Sequence, residues 1–164
     1  MSIDELLAAN ERYAADFTLD KSMLPAPPRK GLAIVSCMDA RIRVHNMLGL
    51  TEGDAHVIRN AGGVVTDDTI RSLAISQRKL ETTEVMIIQH TQCGMSGLDE
   101  DDFRAELRRD TGEEPSWPIG GFADVEQSVR ESVERLRTSD YLLHRDDIRG
   151  FVYDVESGRL AEVS

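Results

Sequence analysis

Two short apolar runs, Gly31-Leu32-Ala33-Ile34-Val35-Ser36 and Glu84-Val85-Met86-Ile87-Ile88-Gln89, constrain this chain more than any other feature. Each is strand-length and continuous rather than alternating, the pattern of a strand covered on both faces inside a parallel sheet. Asp54-Ala55-His56-Val57-Ile58-Arg59 and Gly150-Phe151-Val152-Tyr153-Asp154-Val155 supply two further strands, and Ser157-Gly158 turns the chain into a short fifth over 159–163. Between them lie helical signals. Thr66-Asp67-Asp68-Thr69 offers N-cap chemistry for a helix over 66–80 with Ile70, Leu73, Ala74 and Gln77 as its stripe. Residues 99–110 run from acidic to basic, as the helix dipole favours. Phe122, Val125, Val129, Val133 and Leu136 mark a helix over 121–137, and 44–50 has room for one or two helical turns. The loop 111–120 carries Gly112, Pro115 and Pro118.

Strands alternating with helices predict an α/β fold: a mainly parallel sheet of four strands plus a short antiparallel fifth, flanked by helices. At the N-terminus, Ile3, Leu6, Leu7, Tyr13 and Phe17 recur at helical spacing until Pro25-Ala26-Pro27-Pro28 stops the pattern, so 1–29 reads as a helix followed by an extended arm. With 164 residues, 40% of them hydrophobic, a single domain spanning 1–164 is expected. A balance of 19 basic against 30 acidic side chains leaves a formal charge of −11, a poor surface for phosphate backbones, so no nucleic-acid partner is expected. No apolar run approaches the roughly 20 residues of a bilayer span, and the acidic, amphipathic start is unlike a signal peptide. The expectation is a cytoplasmic protein with no membrane partner.

Only two cysteines occur, Cys37 and Cys93, and a reducing cytosol disfavours joining them in a structural disulfide. Cys37 and the His90-Thr91-Gln92-Cys93 segment each follow directly on a predicted strand. Ligand-bearing residues of such sheets gather at the carboxyl ends of the strands, so all three side chains meet if the first and third strands are neighbours. Two sulfurs and one nitrogen suit zinc and leave a fourth position for water. Inert burial as small hydrophobes is the competing account of the thiols. Asp39 and Arg41 follow Cys37 within a turn. Either they form an ordinary surface ion pair, or the Arg41 fork holds Asp39 ionised beside the metal, to accept a hydrogen bond from water or to take the fourth position itself. Gly62 and Gly63 either let backbone approach the site or only form a turn.

In order and spacing, Ser36-Cys37-Met38-Asp39-Ala40-Arg41, His56-Val57-Ile58-Arg59-Asn60-Ala61-Gly62-Gly63 and His90-Thr91-Gln92-Cys93-Gly94-Met95 resemble the β-class carbonic anhydrases. The likeness runs from about residue 30 to residue 155 and is strongest to the compact bacterial and archaeal branch. It implies one zinc per chain on Cys37, His90 and Cys93, with the Asp39–Arg41 dyad adjoining the metal and Asp39 either freeing the fourth position or closing it as a ligand. It implies hydration of CO2 to bicarbonate by hydroxide generated at zinc; Gly62 and Gly63, if they let backbone approach the site, are the candidate substrate-binding residues. It also implies a homodimer, or paired dimers forming a tetramer, in which the neighbouring subunit completes the cleft. The N-terminal helix and arm then serve either that contact or the chain's own core.

The same branch is similar to carbonyl sulfide and carbon disulfide hydrolases, so hydrolysis of a sulfur-bearing linear molecule is the alternative at the same zinc. A non-catalytic zinc protein is the remaining one, since a redox pair would leave His90 unexplained. His45, His56 and His144 are expected to be structural or solvated rather than proton shuttles, and Gln92 to hydrogen-bond locally. Asp99–Asp102 reads as a solvated helix start, because the calcium-loop pattern is missing. Trp117 is expected to pack at the surface.

Overall fold

A computed structural model describes residues 2–164. The strands are β1 (Leu32–Cys37), β2 (Ala55–Asn60), β3 (Glu84–His90), β4 (Ile148–Tyr153) and β5 (Leu160–Val163). They form one sheet in the order β2-β1-β3-β4-β5, parallel except for the antiparallel β4–β5 pair. The two continuous apolar runs are the central strands β1 and β3. Ala33 to Cys37 and Ile87 to His90 are buried throughout.

The helices are α1 (Ile3–Ala15), α2 (Leu19–Ser22), α3 (Val44–Leu48), α4 (Asp67–Leu80), α5 (Glu100–Thr111) and α6 (Val125–Arg137). On one face of the sheet, Ala33, Val35, Val85 and Ile87 pack with Leu73 of α4 and Val129, Val133 and Leu136 of α6. On the other, Ile34 and Ile88 pack with Ile42, Val44, Cys37 and Cys93. The chain leaves β1 toward β2 on one side and leaves β3 toward β4 on the other. The carboxyl ends of β1 and β3 therefore flank the point where connections diverge, the place where sheets of this kind hold ligands.

Several boundaries move for physical reasons. Helix α6 begins at Val125 rather than 121, because the Asp124 side chain accepts from the Gln127 amide and caps it. Phe122 stays outside the helix, donating its amide to Met95 O and accepting from Gly97 N. Strand β4 covers 148–153 rather than 150–155, since the Val155 amide leaves the ladder to donate to Thr91 Oγ1. The short helix α2 carries no sequence signal strong enough to announce it.

Helix α1 has a capping box, with Ser2 and Glu5 bonded reciprocally, yet buries none of its residues. After α2 the proline-containing stretch 23–30 is non-helical, with bends at 26–27 and a turn at 29–30, rather than a uniformly extended arm. It is tied to the β2 edge by His56 Nε2 against Ala26 O at 3.3 Å and by Arg29 on the Asp54 carboxylate at 2.9 Å.

Candidate metal centre

Because β1 and β3 are hydrogen-bonded neighbours, Cys37 at the end of one and His90 at the end of the other are brought close together. Cys93 follows three residues later in the loop, and the ligating atoms of all three lie within 4.8 Å of one another. All three residues are buried. The cysteines are free, with sulfurs 3.9 Å apart, well beyond the roughly 2.05 Å of a disulfide bond. Two thiolates at about 2.3 Å from a tetrahedral zinc stand roughly 3.8 Å from each other, so the spacing fits that ion.

His90 supplies the sharper test. Its Nδ1 lies 2.8 Å from Thr91 O, and because a carbonyl only accepts, Nδ1 carries the proton. Nε2 then presents a lone pair, and it is buried without a hydrogen-bond partner. An orphaned buried acceptor is costly unless something occupies it, and here it converges with two thiols. Burial lowers the His90 pKa and so keeps the imidazole neutral, as a ligand must be. Burial also pushes the Cys93 thiol up, with Cys37 nearby adding to the effect, so in the absence of a cation the sulfur resists ionising. Cys37, His90 and Cys93 could thus hold one metal ion, for which the donor set suits zinc.

The Asp39–Arg41 dyad stands at the mouth. Arg41 Nε donates to Asp39 Oδ1 at 2.9 Å and Nη2 to Oδ2 at 2.7 Å, while the Arg41 amide also donates to Oδ1. These bonds, the guanidinium fork first, hold the Asp39 carboxyl well below the usual carboxylate range. Asp39 Oδ2 lies 3.8 Å from His90 Nε2, so an ionised acceptor overlooks the unpartnered lone pair.

Gly63 is buried at φ +64°, and a Cβ built on it would stand 2.8 Å from Cys37 N and 3.0 Å from Ile88 O. Only glycine permits that approach to both ligand-bearing strands. A Cβ on Gly62, also at positive φ, would meet Met95 and Phe122.

Two contributors escaped the sequence reading. Arg59, at the end of β2, donates to Cys37 O at 2.9 Å and Asp39 O at 2.7 Å, clamping the turn that carries both residues. Its place in the block with Gly62 and Gly63 is the one available signal. Gln92 reaches further than a local bond. It adopts φ +53°, unusual for a side chain of its size, and its carbonyl accepts from Arg41 Nη2 at 2.9 Å.

His56 bonds Ser76 Oγ as well as the arm, His45 and His144 are exposed, Asp99 caps α5, and Trp117 is exposed. A groove of about 530 Å³ runs along α4, lined by Ile70, Ala74, Ile75 and Tyr141, away from the metal group.

Similarity to known proteins agrees with the geometry. A family model described as carbonic anhydrase matches residues 32–117. The chain is 49% identical over 161 residues to β-carbonic anhydrase 1 of Mycobacterium tuberculosis, covering 98% of this chain and 97% of that one. The crystal structure of a carbonic anhydrase from Streptococcus mutans superposes with a TM-score of 0.90 at 41% identity, covering 100% and 99% of the two chains. A carbon disulfide hydrolase of Acidithiobacillus thiooxidans is 34% identical over 155 residues, covering 82% of this chain and 77% of that protein.

Proposed function

The chain belongs to the β-carbonic anhydrase family, and from that premise we propose that residues 1–164 act as one catalytic domain interconverting CO2 and water with bicarbonate and a proton, Cys37, His90 and Cys93 holding its zinc. The observation that carries the reading is the buried, unpartnered His90 Nε2 converging with two free thiols. Zinc held there supplies hydroxide at neutral pH, since it can lower the pKa of water from 15.7 to about 7.

The chain's own residues orient the reactants. Asp39, ionised and engaged through both oxygens by Arg41, acts as a hydrogen-bond acceptor for water at the site rather than as a fourth ligand. Because it accepts and cannot donate, it would hold the O–H hydrogen of the attacking hydroxide and leave an oxygen lone pair free for the electrophilic carbon. Arg41 keeps the carboxylate from rotating, and Arg59 fixes the backbone beneath it. Met95 and Phe122, packed in the same cluster as the thiols, offer neutral linear CO2 an apolar wall. Gly62 brings the backbone up to that wall and Gly63 up to the ligand-bearing strands, and both are assigned to substrate binding.

We also place the enzyme in a homodimer, with pairing into tetramers as the larger form. Support comes from α1. A 13-residue helix is marginal alone in water, and this one exposes Ile3, Leu6, Leu7 and Tyr13. A second copy, presenting its apolar α4 groove, is the occupant that explains both surfaces. A cytoplasmic location suits two thiols that must remain reduced. Among the described residues, no helix is long and apolar enough to cross a membrane.

Stopped-flow CO2 hydration on protein of quantified zinc content tests the reading. A rate proportional to zinc and rising with pH is expected. Zinc-loaded protein with no CO2 hydration but with sulfide released from carbon disulfide would move the assignment to the second activity, which the 34% identical hydrolase represents.

A further inference from the structure

Gln92 raises a question that its neighbours answer. It lies between two of the assigned ligands in a backbone conformation that glycine would adopt more easily, yet a long amide side chain stands there. That amide donates from Nε2 to Glu156 Oε1 at 2.7 Å. Glu156 sits in the β4–β5 turn, which is itself stapled to the ligand loop. Thr91 N donates to Tyr153 O at 3.0 Å, Thr91 Oγ1 to Asp154 Oδ1 at 3.3 Å, and Val155 N to Thr91 Oγ1 at 3.1 Å. The Glu156 amide closes the turn on Asp154 Oδ1 at 3.1 Å.

A continuous hydrogen-bonded path follows: Glu156 holds the Gln92 side chain, the Gln92 carbonyl holds Arg41 Nη2, and Arg41 holds both oxygens of Asp39. Gln92 is tethered through its side-chain nitrogen and its backbone carbonyl, and its left-handed backbone aims the carbonyl at Arg41. Released from Glu156, the residue is free to relax toward negative φ, which turns the carbonyl away and leaves Arg41 held by Asp39 alone.

We propose that Glu156 is a positioning residue for the reaction, acting through Gln92 to fix the Arg41 guanidinium and thereby the orientation of Asp39. The proposal deepens the carbonic anhydrase reading and rests on it for its kinetic arm alone. The mechanism is indirect, since Glu156 belongs to the far end of the path and reaches Asp39 through two intermediates. It assigns to the β4–β5 turn, remote in sequence from all three motif blocks, control over the geometry at the metal group.

The test uses zinc-loaded protein and three readouts: zinc content, kcat and KM for CO2, and hydrogen exchange of the Arg41 Nε–H followed by NMR. Glu156→Ala is expected to retain its zinc, to lower kcat/KM by about threefold to tenfold, mainly in kcat, and to speed Arg41 Nε–H exchange by a similar factor. Glu156→Gln keeps an acceptor oxygen and is expected to restore both. In a Gln92→Gly background, which tolerates the backbone conformation but has no side-chain carboxamide, Glu156→Ala is expected to add nothing further.

Several results would overturn the assignment. One is Arg41 exchange and kcat/KM both within twofold of the parent in Glu156→Ala. Others are failure of Glu156→Gln to rescue, a full effect of Glu156→Ala in the Gln92→Gly background, or loss of zinc from Glu156→Ala. If the parent protein hydrates no CO2, the exchange readout still decides the path, so the two readings fail separately.

Discussion

Replacing Gly63 by alanine asks how tightly the ligand-bearing strands are held, and the structure contains its own control. Gly63 and Gly49 share a φ of +64°, but a Cβ on Gly49 meets no atom within 4 Å, whereas one on Gly63 meets Cys37 N at 2.8 Å and both Ile88 O and Ser36 C at 3.0 Å. The left-handed backbone costs an alanine about 1–2 kcal/mol at either site. At Gly63 the obstructing atoms are backbone of two paired central strands and cannot swing aside, which adds an overpacking cost of about 1–3 kcal/mol. Gly49→Ala is therefore expected to lose about 1–2 kcal/mol and Gly63→Ala about 2–5 kcal/mol. Urea unfolding followed by far-UV circular dichroism, at one protein concentration so that association is held constant, measures both. Gly63→Ala should also bind zinc more weakly, because the clash displaces the Cys37 amide. Equal losses in the two variants, within about 0.5 kcal/mol, would show that the strand ends yield, and the argument for a rigid ligand platform would collapse.

Cys93→Ser removes a soft ligand and is expected to lose most bound zinc and with it CO2 hydration, as elemental analysis and stopped-flow kinetics would show; a zinc-replete, fully active variant would remove Cys93 from the metal centre. Asp39→Ala leaves all three ligands in place, so zinc should stay while kcat falls at least tenfold, and an unchanged rate would take Asp39 out of the mechanism. The Asp54 carboxyl is lowered from 3.8 to about 2, first by the Thr51 amide and then by the Thr51 hydroxyl and Arg29, so its stabilising contribution is complete above about pH 4 and lost as pH falls through 2. Asp54→Asn should destabilise the protein at neutral pH and flatten the acid limb of a pH–stability profile, and parallel profiles for the two proteins would contradict this. Leu6→Asp combined with Leu7→Asp should shift the sedimentation profile toward monomer while leaving far-UV circular dichroism of the sheet unchanged; an undisturbed oligomer would free α1 of that role.

How far the sequence reaches depends on the range of the interaction involved. The buried strands were legible because a run such as Ala33-Ile34-Val35 has only one environment that satisfies it, and α4 was legible because Thr66 and the Leu73 stripe lie within a few residues of each other. The ligand types followed from the chemistry of thiolate and imidazole, and the order of the three motif blocks identified the family. All of this is local information, carried by residue type and spacing along the chain.

The remainder needed the fold. The adjacency of β1 and β3, shown by the register of Leu32 with Glu84 through Ser36 with Ile88, decides that Cys37 meets His90 across 52 residues of intervening chain. Only the folded chain reveals that Phe122 joins the ligand loop instead of α6, that Gly63 presses on Cys37, and that Gln92 turns its carbonyl to Arg41. Each depends on a partner distant in sequence, so no periodicity records it. Residue type and spacing thus determined which atoms are available to bind a metal and do chemistry, and tertiary structure alone decided how they are aimed, because orientation is set by contacts between segments that the chain brings together only on folding.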